Sequence, residues 1–341
     1  MIANSTPSFS QDTLLSKEFV SMFEKVELEE LPPAEEYYVD DSPLKQIFRL
    51  LDEEDYARQK AFLEEKKQKV IPNALGIDIP AESYAQEMLH AYIAKYLSIV
   101  GRENLAKILD NGEAYRLYIR QELKKRNMPA ALEYLPLIES EYKASAKSRS
   151  GARGLWQFME NSMSPFLKKN EWFDERLDPW KATDAALTKL EDNYRALGDW
   201  TLAIAAYNCG LGATSRALKK SPVKTFWYLA EQKLLSEETI HYIPKLLAIC
   251  EIIGHQDEYK ISLPEAGSFR HFADFDYLSV RTQISLKRLA SELRLDYGTL
   301  KKLNPALLHD KTPPDSEYKI RLPSGIALSA QEALKEILTN K

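Results

Sequence analysis

The eight residues Trp200-Thr201-Leu202-Ala203-Ile204-Ala205-Ala206-Tyr207 carry no charge. A run of that length is one short helix, and a helix that is apolar on every side has to be buried among others. Ala203, Ala205 and Ala206 are small enough to let neighbouring helices approach closely. The flanking sequence offers those neighbours. Leu187, Leu190, Tyr194 and Leu197 recur at helical spacing and stop at Gly198-Asp199, and Thr239 to Gly254 carries Ile243, Leu246, Leu247, Cys250 and Ile253 on one side. Pro244 falls in the first turns of that helix, where it is tolerable. Residues 129–256 are therefore expected to form a body that is almost entirely helical.

Upstream, residues 1–45 are polar and acidic around Pro32-Pro33 and read as a flexible leader. Leu44 to Lys69 repeats Leu44, Ile47, Phe48 and Leu51 as an amphipathic helix. Ala81–Val100 and Glu103–Asn127 read as two more helices, with Gly101, Gly112 and Pro129 as stops, so that 46–128 forms a helical region packed on the body. Tyr115, Tyr118 and Ile119 could line a groove, although such spacing more often marks core. Beyond residue 257 the apolar stretches shorten. Their order over 269–326 is strand, helix, helix, strand, followed by a tail at 327–341. This piece is expected to be separable from the helical body.

Composition excludes several classes of function. A net charge of −5 supplies no dense basic face for nucleic acid. Cys209 and Cys250 are too few and too far apart for a disulfide framework, and five histidines without Cys/His clustering predict neither metal nor cofactor. No apolar run reaches the length of a membrane span, and MIANSTPSFSQD lacks the basic-then-apolar layout of a signal peptide.

Chemistry concentrates at 139–159. Glu139 follows the apolar run Leu135-Pro136-Leu137-Ile138 and precedes the turn-rich Ser148…Gly151-Ala152-Arg153-Gly154-Leu155-Trp156-Gln157. A carboxyl group leaving an apolar helix can have a raised pKa, as a general acid needs near neutral pH. Glu133 and Glu141 lie close by, and any of the three could instead be a solvated helix charge.

The run ES…S…GARGLWQFM resembles the signature of the soluble-type and membrane-bound type D lytic transglycosylases: Glu-Ser, a serine, then Gly-Ala-x-Gly-Leu-x-Gln. Ala206-Tyr207-Asn208-Cys209-Gly210 is similar to the family's Ala-Tyr-Asn-x-Gly turn, and Glu238-Thr239-Ile240-His241-Tyr242-Ile243-Pro244-Lys245 to its Glu-Thr-x-x-Tyr-x-x-Lys helix start. Three motifs in order over roughly a hundred residues make the resemblance specific. The C-terminal strand-helix-helix-strand order resembles a LysM module, with Gln283-Ile284-Ser285-Leu286 where such modules usually have Gly-Asp-Thr-Leu.

The resemblance implies a mainly α, goose-type lysozyme-like catalytic domain with a small βααβ module. It implies that peptidoglycan glycan strands are cut at the β-1,4 bond after muramic acid, leaving a 1,6-anhydro end. Glu139 would be the catalytic acid and then base, and Ser148, Gln157, Met159, Tyr207, Asn208 and Glu238 would bind substrate, with the Tyr207 hydroxyl placed near Glu139. A periplasmic or cell-envelope location with cell-wall or membrane association follows, with the export segment absent from this chain. A hydrolytic muramidase of the same fold and a non-catalytic wall-binding scaffold are the alternatives.

Overall fold

The computed structural model describes residues 75–79, 83–264 and 275–339. The expected leader and the Leu44–Lys69 helix lie outside them. Three helices open the described body, α1 (Ser83–Leu97), α2 (Ile99–Asn111) and α3 (Glu113–Lys125), where the sequence pattern predicts two. The first break falls at Ser98 and not at Gly101, since the Ser98 hydroxyl accepts from the Gly101 amide and caps α2, and the extra boundary is at Gly112. Gly112 separates α2 from α3 for a steric reason. A Cβ there would stand 2.6 Å from Cδ2 of the buried Tyr142 ring.

A 3₁₀ turn over Ala130–Tyr134 leads into the short α4 (Leu135–Ser140). After a long irregular stretch come α5 (Pro179–Leu197), α6 (Trp200–Cys209), α7 (Leu211–Lys220), α8 (Phe226–Glu231) and α9 (Glu237–Gly254). Asp178 caps α5 by accepting from the amides of Trp180 and Lys181, and Gly198 ends it in the left-handed region at φ 70°. Every residue from Thr201 to Tyr207 is buried, and α5, α7 and α9 pack around them. The uncharged run thus becomes the central helix, and α9 also packs along α1.

The C-terminal module pairs β1 (Phe275–Val280) antiparallel with β2 (Tyr318–Pro323), with Leu278 opposite Ile320. Between the strands lie α10 (Leu286–Glu292) and α11 (Tyr297–Leu303), capped by Ser285 and Asp296. The residues read as a tail begin instead with α12 (Ala327–Thr339), whose Ala330, Ala333 and Ile337 are buried in the module's own apolar cluster. Alanine at those two positions and isoleucine four residues on give α12 an apolar stripe, which is why it packs.

Buried polar contacts join the module to the helical body. Arg321 on β2 donates from Nη1 to Asp178 Oδ2 at 3.0 Å and from Nη2 to Asp178 Oδ1 at 3.2 Å, with both residues buried. The guanidinium lies 4.3 Å from the Trp180 ring centroid and 5.1 Å from that of Phe275. A second seam joins backbones: the Asp174 amide donates to Ala306 O at 2.9 Å, and the Leu308 amide to Trp172 O at 2.9 Å. Removing one partner of a buried, hydrogen-bonded ion pair typically costs about 3–5 kcal/mol, because the other charge is stranded. Ending the chain at residue 268 is accordingly expected to lower the urea midpoint of the helical body. An unchanged midpoint would show that the body needs no cover over Asp178 and Trp180.

Candidate active site

The helix α4 delivers Glu139. Its last residue, Ser140, is buried and donates its hydroxyl to Leu155 O at 2.8 Å and Pro136 O at 3.2 Å. The Glu-Ser pair therefore divides its work: the serine fastens the helix end to the Gly-Leu-Trp turn while the glutamate projects from it. Glu141 and Tyr142 follow with φ of 53° and 57°, ending the helix sharply. Tyr142 is anchored through its hydroxyl to Glu133 O at 2.8 Å.

The three glutamates now separate by surroundings. Glu133 is buried and gripped by Arg116 at 3.0 Å and Arg120 at 2.7 Å, so it is a structural anion. Glu141 pairs with Lys143 at the surface. Glu139 is half-buried, and a hydroxyl rather than a cation is bonded to it: Tyr242 OH donates to its Oε1 in a short hydrogen bond. Burial pushes the Glu139 pKa up to about 7, opposed by the Tyr242 bond, reinforced by the Glu238 carboxylate and lowered again by the Lys189 ammonium. With Oε1 held by Tyr242, Oε2 makes no hydrogen bond to any described residue.

The Ser148–Phe158 segment is a tight double turn tied by bridges Lys147 to Arg153 and Arg153 to Phe158. Ser148 Oγ accepts from the Ala152 amide at 3.0 Å, closing the turn on itself. Gly154, at φ 81°, is required there. A Cβ would lie 1.7 Å from Arg176 O. Gln157 also has positive φ, and its Nε2 donates to Gly154 O at 2.7 Å. It sits within this turn. Met159 is half-buried at the turn's exit, whereas Trp156 is fully buried and donates from Nε1 to Thr183 Oγ1 at 2.9 Å.

Tyr207 differs from its expected placement. Its hydroxyl donates to Trp156 O at 2.8 Å instead of reaching Glu139. The Trp156 carbonyl is buried beside it and needs a donor, which a phenol at the end of the apolar α6 supplies. Asn208 is engaged at both ends of its amide, donating to Glu238 Oε1 at 2.8 Å and accepting from Thr239 Oγ1 at 2.7 Å. The second and third motifs are thereby pinned together. Glu238 is exposed at the N-terminus of α9, and Thr239 is buried.

Two site residues have no role assigned from sequence. Tyr242 stands inside the third motif, but its role becomes visible only when α9 is laid across α4. Lys189 follows buried Ala182 and Ala186 at helical spacing on α5, so a charge on an inward face was the available signal. Its Nζ stands 4.8 Å from the Tyr207 ring centroid and 5.5 Å from that of Phe158. Burial lowers its pKa, and Glu139 raises it. Tyr115 is half-buried against the Trp180 ring, and Tyr118 donates to Asp184 Oδ1 at 3.1 Å, while Ile119 is core.

Because the folded pKa of Glu139 lies above its ordinary 4.5, the unfolded chain ionises first as pH rises. Stability is thus highest below the unfolded pKa and falls as pH rises through about 7. Glu139→Gln removes this penalty while keeping an acceptor for Tyr242. At pH 8 the variant is expected to be about 1–3 kcal/mol more stable than wild type, and at pH 4 equally stable. Urea melts at the two pH values decide this, and equal stabilities at pH 8 would mean that the carboxyl is well solvated.

Two family models match the chain, Transglycosylase SLT domain over residues 116–229 and the LysM-like domain of lytic transglycosylase MltD over residues 274–339. Membrane-bound lytic murein transglycosylase D of Escherichia coli (strain K12) is 27% identical over 270 residues, covering 77% of this chain and 57% of that protein. The putative tributyltin chloride resistance protein of Alteromonas sp. (strain M-1) is 43% identical over 108 residues, 31% of this chain and 52% of that one. The chain spans about half the length of the curated relatives it matches. Among solved structures, an inactive variant of the lytic transglycosylase Slt from Pseudomonas aeruginosa aligns with a TM-score of 0.38 at 18% identity, covering 54% of this chain and 33% of that chain. The glutamate-bearing helix and the two motif turns thus lie within the residues that match the Transglycosylase SLT domain, and the residues that match the LysM-like domain follow in the same chain.

Proposed function

We propose that this chain is a peptidoglycan lytic transglycosylase, cleaving the β-1,4 bond between N-acetylmuramic acid and N-acetylglucosamine. The observation that carries the reading is a desolvated Glu139 with one oxygen held by a tyrosine hydroxyl and the other making no hydrogen bond to any described residue. Protonated Glu139 gives its proton from Oε2 to the glycosidic oxygen as the C1–O bond breaks. The substrate's own N-acetyl oxygen supports C1 during that step. Glu139, now a carboxylate stabilised by Tyr242, takes the proton of the muramic 6-hydroxyl, and O6 closes on C1. No water is consumed, and Glu139 ends protonated as it began.

Two-carboxylate hydrolysis needs a second acid across the sugar ring. Here the carboxylate that acts electrostatically on Glu139 is Glu238, which is tied to Asn208. That favours the lytic over the hydrolytic alternative. Ser148, Gln157, Met159, Asn208 and Glu238 are proposed to border the bound glycan, with Gln157 and Asn208 acting chiefly by shaping their turns. Tyr207 is proposed to support the site through Trp156. The proposed location is the cell envelope, with the LysM-like module facing wall glycan. Among the described residues no helix is long and apolar enough to cross a membrane.

Mass spectrometry of digested peptidoglycan tests the reading. Anhydro-muropeptides are expected from wild type and none from Glu139→Gln; reducing ends would make the chain a hydrolase, and no product a scaffold. Tyr242→Phe removes the bond that lowers the Glu139 pKa. The high-pH limb of its rate profile, where the acid is lost, is therefore expected to move upward from about 7, with kcat reduced about 10- to 100-fold for loss of a bond to a charged group. A profile superimposable on wild type would remove Tyr242 from the site.

A further inference from the structure

We propose that the C-terminal module is part of the catalytic apparatus, and that Arg321 is a positioning residue which holds the active-site turn in register through Asp178 and α5. The inference rests on the lytic reading above, since it concerns how the same site is aligned.

The route is continuous and alternates hydrogen bonds with short stretches of covalent chain. Arg321 is fixed within the module, where its backbone pairs with both ends of the Asn304 amide at 2.8 Å and its Nη1 also donates to Leu303 O at 2.9 Å. From there the guanidinium grips both oxygens of Asp178. Asp178 in turn receives the first amides of α5, so its position sets where that helix begins. One turn along α5, Thr183 Oγ1 receives Trp156 Nε1, and the carbonyl of that same tryptophan receives Tyr207 OH. Leu155, its neighbour, holds Ser140 and so the helix end that carries Glu139.

The second seam reaches the same turn from the other side. The module's Ala306 O fixes the Asp174 amide, and the buried Asp174 carboxylate receives Arg176 Nε at 2.9 Å and Nη2 at 2.7 Å. Arg176 uses its remaining Nη1 donors on Gly151 O at 3.1 Å and Phe158 O at 3.3 Å, the two ends of the turn. The Arg176 carbonyl occupies the space that any side chain at position 154 would need. The turn is thus clamped between a segment, 172–183, and α4, and that segment's outer side rests on the module.

Such a clamp matters because reacting groups misplaced by about 1 Å can lose on the order of 100-fold in rate. It would act through geometry and not through charge: the groups that tune Glu139 are Tyr242, Glu238 and Lys189, none of them on the module. That separates this role from a direct electrostatic one.

The test uses the full chain. Arg321→Met strands Asp178, so the informative variant is Asp178→Asn with Arg321→Met, which removes both charges and keeps a side-chain cap on α5. Its kcat on peptidoglycan is expected to fall about 10-fold or more with the high-pH limb unmoved, and the amides of residues 151–158 to exchange faster with deuterium. Wild-type kcat in the folded double variant, or faster exchange confined to the module's strands with the turn unaffected, overturns the proposal. If the double variant does not fold, Arg321→Lys decides, because it keeps the charge but loses the two-pronged grip: about threefold lower kcat is expected, and full turnover overturns the proposal. A wild-type chain that gives no anhydro product defeats the lytic reading instead, and the exchange of residues 151–158 still tests the mechanical link.

Discussion

A carboxyl group that has to be neutral near pH 7 needs surroundings that withhold cations as effectively as they withhold water. Glu139 and Glu133 make the contrast within one short stretch of chain. Glu133 is more deeply buried, and two guanidinium groups satisfy both its oxygens. Glu139 accepts from a phenol hydroxyl and feels the Lys189 ammonium only through space, and burial raises its pKa to about 7. The same type of side chain becomes an ion-pair strut in one place and a carboxyl of raised pKa in the other, according to what the neighbouring helices present.

Holding a half-desolvated acid in place falls largely to the other motif residues, which bind one another. Ser140 reaches Leu155, Tyr207 reaches the Trp156 carbonyl, and Asn208 joins Glu238 and Thr239. Three motifs spread over about a hundred residues of chain thereby close into a ring of hydrogen bonds around one carboxyl group. Buried networks of this kind are costly when incomplete and rigid when complete. Most of these side chains bond to one another, and in the proposed reaction their part is to align Glu139.

Local patterns are legible in the sequence without the fold. The uncharged run of α6, the stop at Gly198 and the strand-helix-helix-strand order each depend on spacing within a few residues. Placement across the chain is not legible in the same way. Tyr207 reads equally well as a partner for a carboxyl or for a carbonyl, and only the packing of α6 on the Trp156 turn decides for the carbonyl. Nothing near Asp178 in the sequence announces Arg321, 143 residues away. Residues 327–341 read as a tail because the stripe of Ala330, Ala333 and Ile337 gains meaning only beside the module's cluster. Gly101 reads as a stop, but the nearby Ser98 offers a cap and moves the boundary.

Lys189 shows how finely the acid is balanced. Its ammonium rests over the faces of Tyr207 and Phe158, and the two ring quadrupoles offset part of the cost of desolvating it. While Glu139 is protonated the carboxyl offers this cation no charge to answer, and burial pulls the ammonium pKa down. Once Glu139 gives up its proton, a carboxylate appears within reach of its field, and each charge then supports the other. The proposed reaction begins with a neutral acid and passes through a carboxylate, so Lys189 opposes nothing in the first state and stabilises the second. A positive charge developing at the sugar C1 would be repelled by it, and for that reason the rings that hold the ammonium matter as much as the charge. They hold it beside Tyr207 and Phe158, from where it acts on Glu139 through space.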